Sequence, residues 1–168
     1  DITAKIKVNL TKQTESRLAV SQPVNAQAYE NYLKGQYFAN KFTAESLDKA
    51  VVYFDKAISQ APDDPLAYAG LAFTYILIGS AHGSIPAHIA YPLARKAAHK
   101  ALQLDATLAE AHYVFGWISL LDRGWLVAER EFRRALELNP NFADAHRDLA
   151  KSLTAMLRID DAIDEVYR

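Results

Sequence analysis

The chain has no cysteine among its 168 residues, which excludes disulfides and thiolate-bound metal and leaves the redox compartment open. Six glycines and six prolines are scattered singly, with no glycine-rich phosphate loop. No apolar run approaches the roughly 20 residues a membrane-spanning helix needs. The longest, about Leu71 to Gly79, is interrupted by Thr74. Charge imbalance is missing too. Nineteen basic residues against 20 acidic ones leave a formal charge of −1, so nothing argues for nucleic acid or an anionic membrane as partner. No nucleophile stands beside a placed base, and no cofactor motif is present. What remains is 51% apolar and 23% charged, a globular composition long enough to bury one core.

The informative stretch is Ala109–Phe142, AEAHYVFGWISLLDRGWLVAEREFRRALELNPNF. It reads as two amphipathic helices joined by a turn at Asp122-Arg123-Gly124. Phe115 and Gly116 lie in the first helix; Ala128, Phe132 and Ala135 lie in the second, which Pro140 closes. The small residue opening the second helix recurs at Ala50, Ala94, Ala128 and Ala162, the last three at intervals of 34. Ala94 follows Ala50 by 44, so one unit carries ten extra residues, near His82 to Ile85 in a polar loop over Gly79 to Ile85 and in the helix start containing Pro92. Phe54 falls in step with Phe132, Ala57 with Ala135, and Gly116 with Ala150, while Gly35 and Ala72 are the small residues of the earlier first helices. AEAH from Ala109 returns as ADAH from Ala143.

Along the chain, residues 1–24 carry an apolar stripe of Ile2, Ile6 and Leu10 and then a break at Pro23, a helical connector from a preceding domain. Asn25 and Thr43 start helices by capping, and Pro65 suits the first turn of the next helix, where its missing N–H costs nothing. Pattern ends suggest units of about 25–64, 65–108, 109–142 and 143–168, the last truncated. The chain opens at Asp1 without methionine and stops at Arg168 inside a helical pattern, and is therefore expected to be part of a longer polypeptide.

The order of small and aromatic residues resembles the tetratricopeptide (TPR) repeat, a helix-turn-helix unit of about 34 residues. The resemblance implies an all-α, right-handed solenoid of about four units behind an N-terminal helical connector. The runs AYENYLKGQYFANK, PLAYAGLAFTY and AEREFRRALELNPNFADAH further resemble C-terminal TPR regions of bacterial regulators, which follow a class III adenylate cyclase or winged-helix domain. Such regions imply a non-catalytic module for protein–protein interaction or self-association, with a protein or peptide partner, a second copy included, and no cofactor. Two alternatives stand beside it: a domain packed on its own parent and transmitting a conformational signal, and a metal or small-molecule site at His82 and His88. The cytoplasm is the favoured compartment, the periplasm following if the parent has an upstream span.

In TPR solenoids the first helix of each pair lines the concave face, which nominates Tyr32, Gln36, Phe73, Leu77, Tyr113, Trp117, Leu121, Arg147 and Lys151 as partner-binding residues. The competing expectation is that the amino-terminal helix or a second copy covers them, because apolar surface of that extent is uncommon on a monomer. Arg147 and Lys151 echo only part of the basic clamp with which some such domains hold a peptide carboxylate. His112 and His146 occupy equivalent places and read as packing residues. Asp160, Asp161, Asp164 and Glu165 open a helix, where negative charge suits the dipole. Arg130, Arg133 and Arg134 among Glu129, Glu131 and Glu137 read as a salt-bridged outer face.

Overall fold

A computed structural model describes residues 25–166, without the side chains of Ala81 and His82. The connector expected over residues 1–24 lies outside the described residues. Helix α1 (Ala26–Ala39) begins where Asn25 Oδ1 accepts the N–H groups of Gln27 and Ala28 at 3.1 and 3.2 Å, filling donors that a helix start leaves open. Thr43 and Ser46 cap α2 (Ala44–Gln60) reciprocally. Asp64 caps α3 (Pro65–Leu77), whose leading proline sits where its missing N–H costs nothing. Then follow α4 (Ala87–Leu104), α5 (Ala109–Leu121), α6 (Trp125–Leu138), α7 (Ala143–Ala155) and α8 (Ile159–Val166).

Successive helices pack in pairs, α1 with α2, α3 with α4, α5 with α6 and α7 with α8. The pairs lean on each other through α2–α3, α4–α5 and α6–α7, and the first helices touch directly, α1 on α3 and α3 on α5. The described residues thus form an all-helical repeat solenoid with an inner layer of first helices and an outer layer of second helices.

The spacing of the layers is set by rings lying where side chains are missing. A Cβ added at Gly35 or Gly70 would stand 2.8 or 2.5 Å from Cε1 of Phe54, and one added at Gly116 would stand 2.4 Å from Cε1 of Phe132. Both rings are sealed from solvent. Ala50, Ala72, Ala94, Ala128, Ala135 and Ala162 are buried in the same cluster as the rings, Ala57 and Ala150 are buried as well, and Pro140 is exposed.

Two local features differ from the sequence pattern. In the Asp122-Arg123-Gly124 turn the left-handed residue is Arg123 (φ 58°), not the glycine. Gly124 has φ −85° and precedes α6. Leu157 (φ 61°), one period later, and Phe42 (φ 52°) do the same work at their turns, reversing the chain after a helix. The second unit's polar loop, expected over Gly79 to Ile85, begins instead as a π-helical turn, Ile78–His82, continuing α3 until Ser80 departs from helical geometry. Ile78 explains it. Its side chain is buried with Leu47 and Ala90, Val51, Ile85 and Tyr91 pack alongside, and Tyr91 donates its hydroxyl to Gly79 O at 3.0 Å. The extra residues also let α4 start seven residues before Ala94, and the helix continues through the exposed Pro92.

Two substitutions test this packing. Gly116→Ala should lower stability by about 1–3 kcal/mol through overpacking against Phe132, despite alanine's advantage in helix propensity of about 1 kcal/mol; a raised urea midpoint would refute the close approach. Leu157→Gly should raise stability by up to about 1 kcal/mol, because an L-residue is strained at this positive φ and the leucine side chain is 85% exposed. An unchanged or lowered midpoint would count against the left-handed turn.

Candidate functional site

The inner layer holds a polar centre at Asp148 on α7. Its side chain is almost wholly buried, and its two oxygens accept from four residues. Tyr113 O–H and Trp117 Nε1–H reach Oδ2 from α5 at 2.8 and 3.1 Å. Arg147 places Nε on Oδ1 at 3.1 Å and Nη2 on Oδ2 at 3.0 Å, and Lys151 Nζ meets Oδ1 at 3.0 Å. Burial pushes the Asp148 carboxyl up, but hydrogen bonds from Arg147, Lys151 and Tyr113 prevail and hold it below the usual carboxylate range. Burial, reinforced by the Asp148 charge, raises the Tyr113 phenol far above its ordinary value.

Around this centre runs an aromatic layer. The Phe73 ring lies 5.5 Å from that of Tyr113 and 6.4 Å, edge-on, from that of Trp117. Tyr113 also meets Phe132 and Phe142, at 5.8 and 4.9 Å. The structure therefore brings together Phe73, Tyr113, Trp117, Arg147 and Lys151 of the nominated residues. Tyr113 is floor rather than open surface, only 4% exposed, because its hydroxyl is drawn to Asp148. Phe73, Trp117 and Leu121 are half-buried, and Arg147 and Lys151 are exposed. Tyr32 and Gln36 lie on α1, the exposed Gln36 amide donating to the Tyr32 hydroxyl at 2.6 Å. Leu77 packs with the Ile78 cluster of the second unit. His88 is exposed, and the side chain of His82 lies outside the described structure; no group of three or more metal-ligating side chains gathers among the described residues.

Two further elements recur at the period. His112 puts Nδ1 2.9 Å from Glu131 Oε2 and Nε2 3.1 Å from Ala106 O. His146 repeats this, Nδ1 2.5 Å from Glu165 Oε1 and Nε2 2.9 Å from Pro140 O. Each imidazole ties the preceding turn, a first helix and the following second helix. The outer face carries Arg133–Glu129 and Arg134–Glu137 at 3.0 and 2.8 Å, and Arg158 of the next turn also reaches Glu129 at 2.8 Å.

Sequence reasoning missed Asp148 and the tie to Glu165. Signals for both were present. Asp148 stands in the column of Gly70 and Val114, a charge where the other units are uncharged, and the His-to-Glu spacing recurs one period apart.

An apolar recess opens against α7 and α8, lined by His146, Ala150, Ile159, Ala162, Ile163 and Val166 among others. It is the face that a following helix covers one unit earlier. Val166, 68% exposed, stands where Phe132 is wholly buried.

This architecture is that of tetratricopeptide-repeat domains. Comparison of the sequence with protein-family models and with curated proteins returns no match; comparison of the fold does. The chain is similar to the first TPR domain of the human RPAP3 protein, with a TM-score of 0.61 and 19% identity over 80% of this chain and 96% of that one. The first TPR of Spaghetti (RPAP3), bound to the HSP90 peptide SRMEEVD, gives a TM-score of 0.58 and 20% identity over 79% and 94%. MamA from Desulfovibrio magneticus RS-1 gives 0.57 and 18% over 84% and 72%.

The His112–Glu131 contact carries a pH signature. The hydrogen bond with Glu131 raises the His112 pKa above 6.5, burial opposing it, and the same bond lowers the Glu131 pKa below 4.5. The histidine's contribution to stability is complete below its unfolded pKa, about 6.5, and is lost as pH rises through the raised folded value. Glu131 contributes above its unfolded pKa and loses that contribution as pH falls through its lowered value. His112→Gln should therefore lower the melting temperature more at about pH 5.5 than at about pH 9; an equal deficit at both would show that the contact is not ionic.

Proposed function

We propose that this chain is a non-catalytic recognition module that holds a peptide or a partner helix along the inner layer. The carrying observation is the half-open aromatic edge of Phe73 and Trp117, fixed from below by Tyr113 and Asp148. An aromatic anchor already held in one orientation loses little freedom on binding. Tyr32, Gln36, Leu77, Leu121, Arg147 and Lys151 extend this surface to either side. A structural neighbour that binds a short peptide supports the same class of ligand, and the sequence resemblance to bacterial regulators supports a place in a larger signalling protein. There the module would bring a partner, or a second copy, to an attached domain such as a cyclase.

The test is selection of binding peptides from a random displayed library against the folded protein. The selected peptides should lose at least about tenfold in affinity to Trp117→Ala, roughly 1.4 kcal/mol, while circular dichroism shows the helices intact. Undiminished binding to Trp117→Ala would place the contact surface elsewhere.

A further inference from the structure

Among the described residues, the inner layer contains one carboxylate with nothing to hold. Glu110 lies on α5 at a spacing that shares the face of Tyr113 and Trp117. The side chain is half-buried, and its Oε2 is shut off from water without a hydrogen-bond partner. Its position in the first turn of α5 suits the helix dipole, but the dipole supplies no donor at that atom. A carboxylate stripped of part of its hydration and left unpaired gains more from an incoming cation than a fully solvated one does.

The remaining charges on this face point the same way. Asp144, Asp148 and Glu110 stand against Arg147 and Lys151, one negative charge in excess. Both bases are engaged, Arg147 with Asp144 and Asp148 and Lys151 with Asp148. The nominated residues of α1 and α3, namely Tyr32, Gln36, Phe73 and Leu77, carry no charge. An acidic peptide would reach only the donors that Arg147 and Lys151 leave over, next to Asp144 and Asp148, which already balance the charge of the two bases. A basic side chain meets no such obstacle.

We infer that the groove selects a basic amphipathic partner, a helix or peptide whose apolar residues rest on Phe73 and Trp117 and whose lysine or arginine pairs with Glu110. This rests on the groove reading above and names the chemistry of its ligand. Residues of the partner one helical turn apart can serve the aromatic edge and the carboxylate together.

The probes are two synthetic helical peptides of about 18 residues, roughly 27 Å long, with one apolar stripe in common. Lysines flank the stripe in one and glutamates in the other. Titrations at moderate salt follow the anisotropy of a labelled peptide, with the summed fluorescence of Trp117 and Trp125 as a second signal. The lysine peptide should bind at least about tenfold tighter, about 1.4 kcal/mol, and Glu110→Gln should cut that preference severalfold. Glu137→Gln, on the outer face beside Arg134, should leave it unchanged. Melting temperatures of both variants confirm that they are folded. Equal or tighter binding of the glutamate peptide, or a preference that survives in Glu110→Gln, overturns the inference while leaving the groove in use. If neither peptide binds, as when a second copy or the chain's own residues fill the groove, the inference falls together with the groove reading.

Discussion

Everything in this fold depends on how closely two helices approach where a phenyl ring fills the place of an absent Cβ. Phe54 lies against both Gly35 and Gly70, so one ring sets the distance within its own pair and to the next. Phe132 repeats the arrangement at Gly116. A pair of helices this short cannot bury its apolar face alone, and the closeness of these contacts lets each pair serve as lid for its neighbour. Glycine in a helix interior is unfavourable by about 1 kcal/mol relative to alanine. The wholly buried ring offsets that locally, since burying such a side chain contributes about 1.5–3 kcal/mol. The ten-residue insertion disturbs none of this, because it adds its length beyond Tyr75, between the paired regions of α3 and α4.

Polar chemistry is distributed unevenly over the same frame. The first two pairs begin with side-chain caps from Asn25, Thr43 and Asp64. In the last two, α5 and α7 have no such caps. His112 and His146 there bind turn to helix to helix, and Asp148 binds α5 to α7. A buried carboxylate adds little stability by itself, since its desolvation offsets most of the attraction. Its effect is on geometry. With Tyr113 and Trp117 converging on it from α5, the orientation of α7 against α5 is specified by hydrogen bonds, which are directional where alanine contacts are not.

The repeat was legible in the sequence because close helix crossings restrict residue size, and size is what a one-dimensional pattern records. Ala94, Ala128 and Ala162 therefore announced the solenoid. The inner surface was less legible, because spacing places a residue on a face without saying what pulls its side chain. Tyr113 shares a face with Trp117, yet it lies in the floor, drawn by a carboxylate 35 residues away. Glu165 looked like a dipole residue in an acidic run and instead holds His146, a pairing that depends on the fold bringing α8 beside α7. The π-helical turn at Ile78 was hidden for the converse reason: glycine and serine around it suggested a loop, while a single isoleucine found a buried place beside Leu47.

The partly engaged inner surface shows why counting charges along a sequence misjudges a recognition face. Arg147 and Lys151 stand out as free bases at groove positions, and by count alone they advertise an anion site. Asp148, buried between them and the aromatic floor, reverses that meaning without being visible at the surface. Arg147 and Lys151 are themselves exposed, but Asp144 and Asp148 already balance their charge, so an anion arriving from solvent finds little net attraction. The charge available to a partner is then what internal pairing leaves over. Here that remainder is the unpaired carboxylate of the half-buried Glu110, on the helix that also carries Trp117.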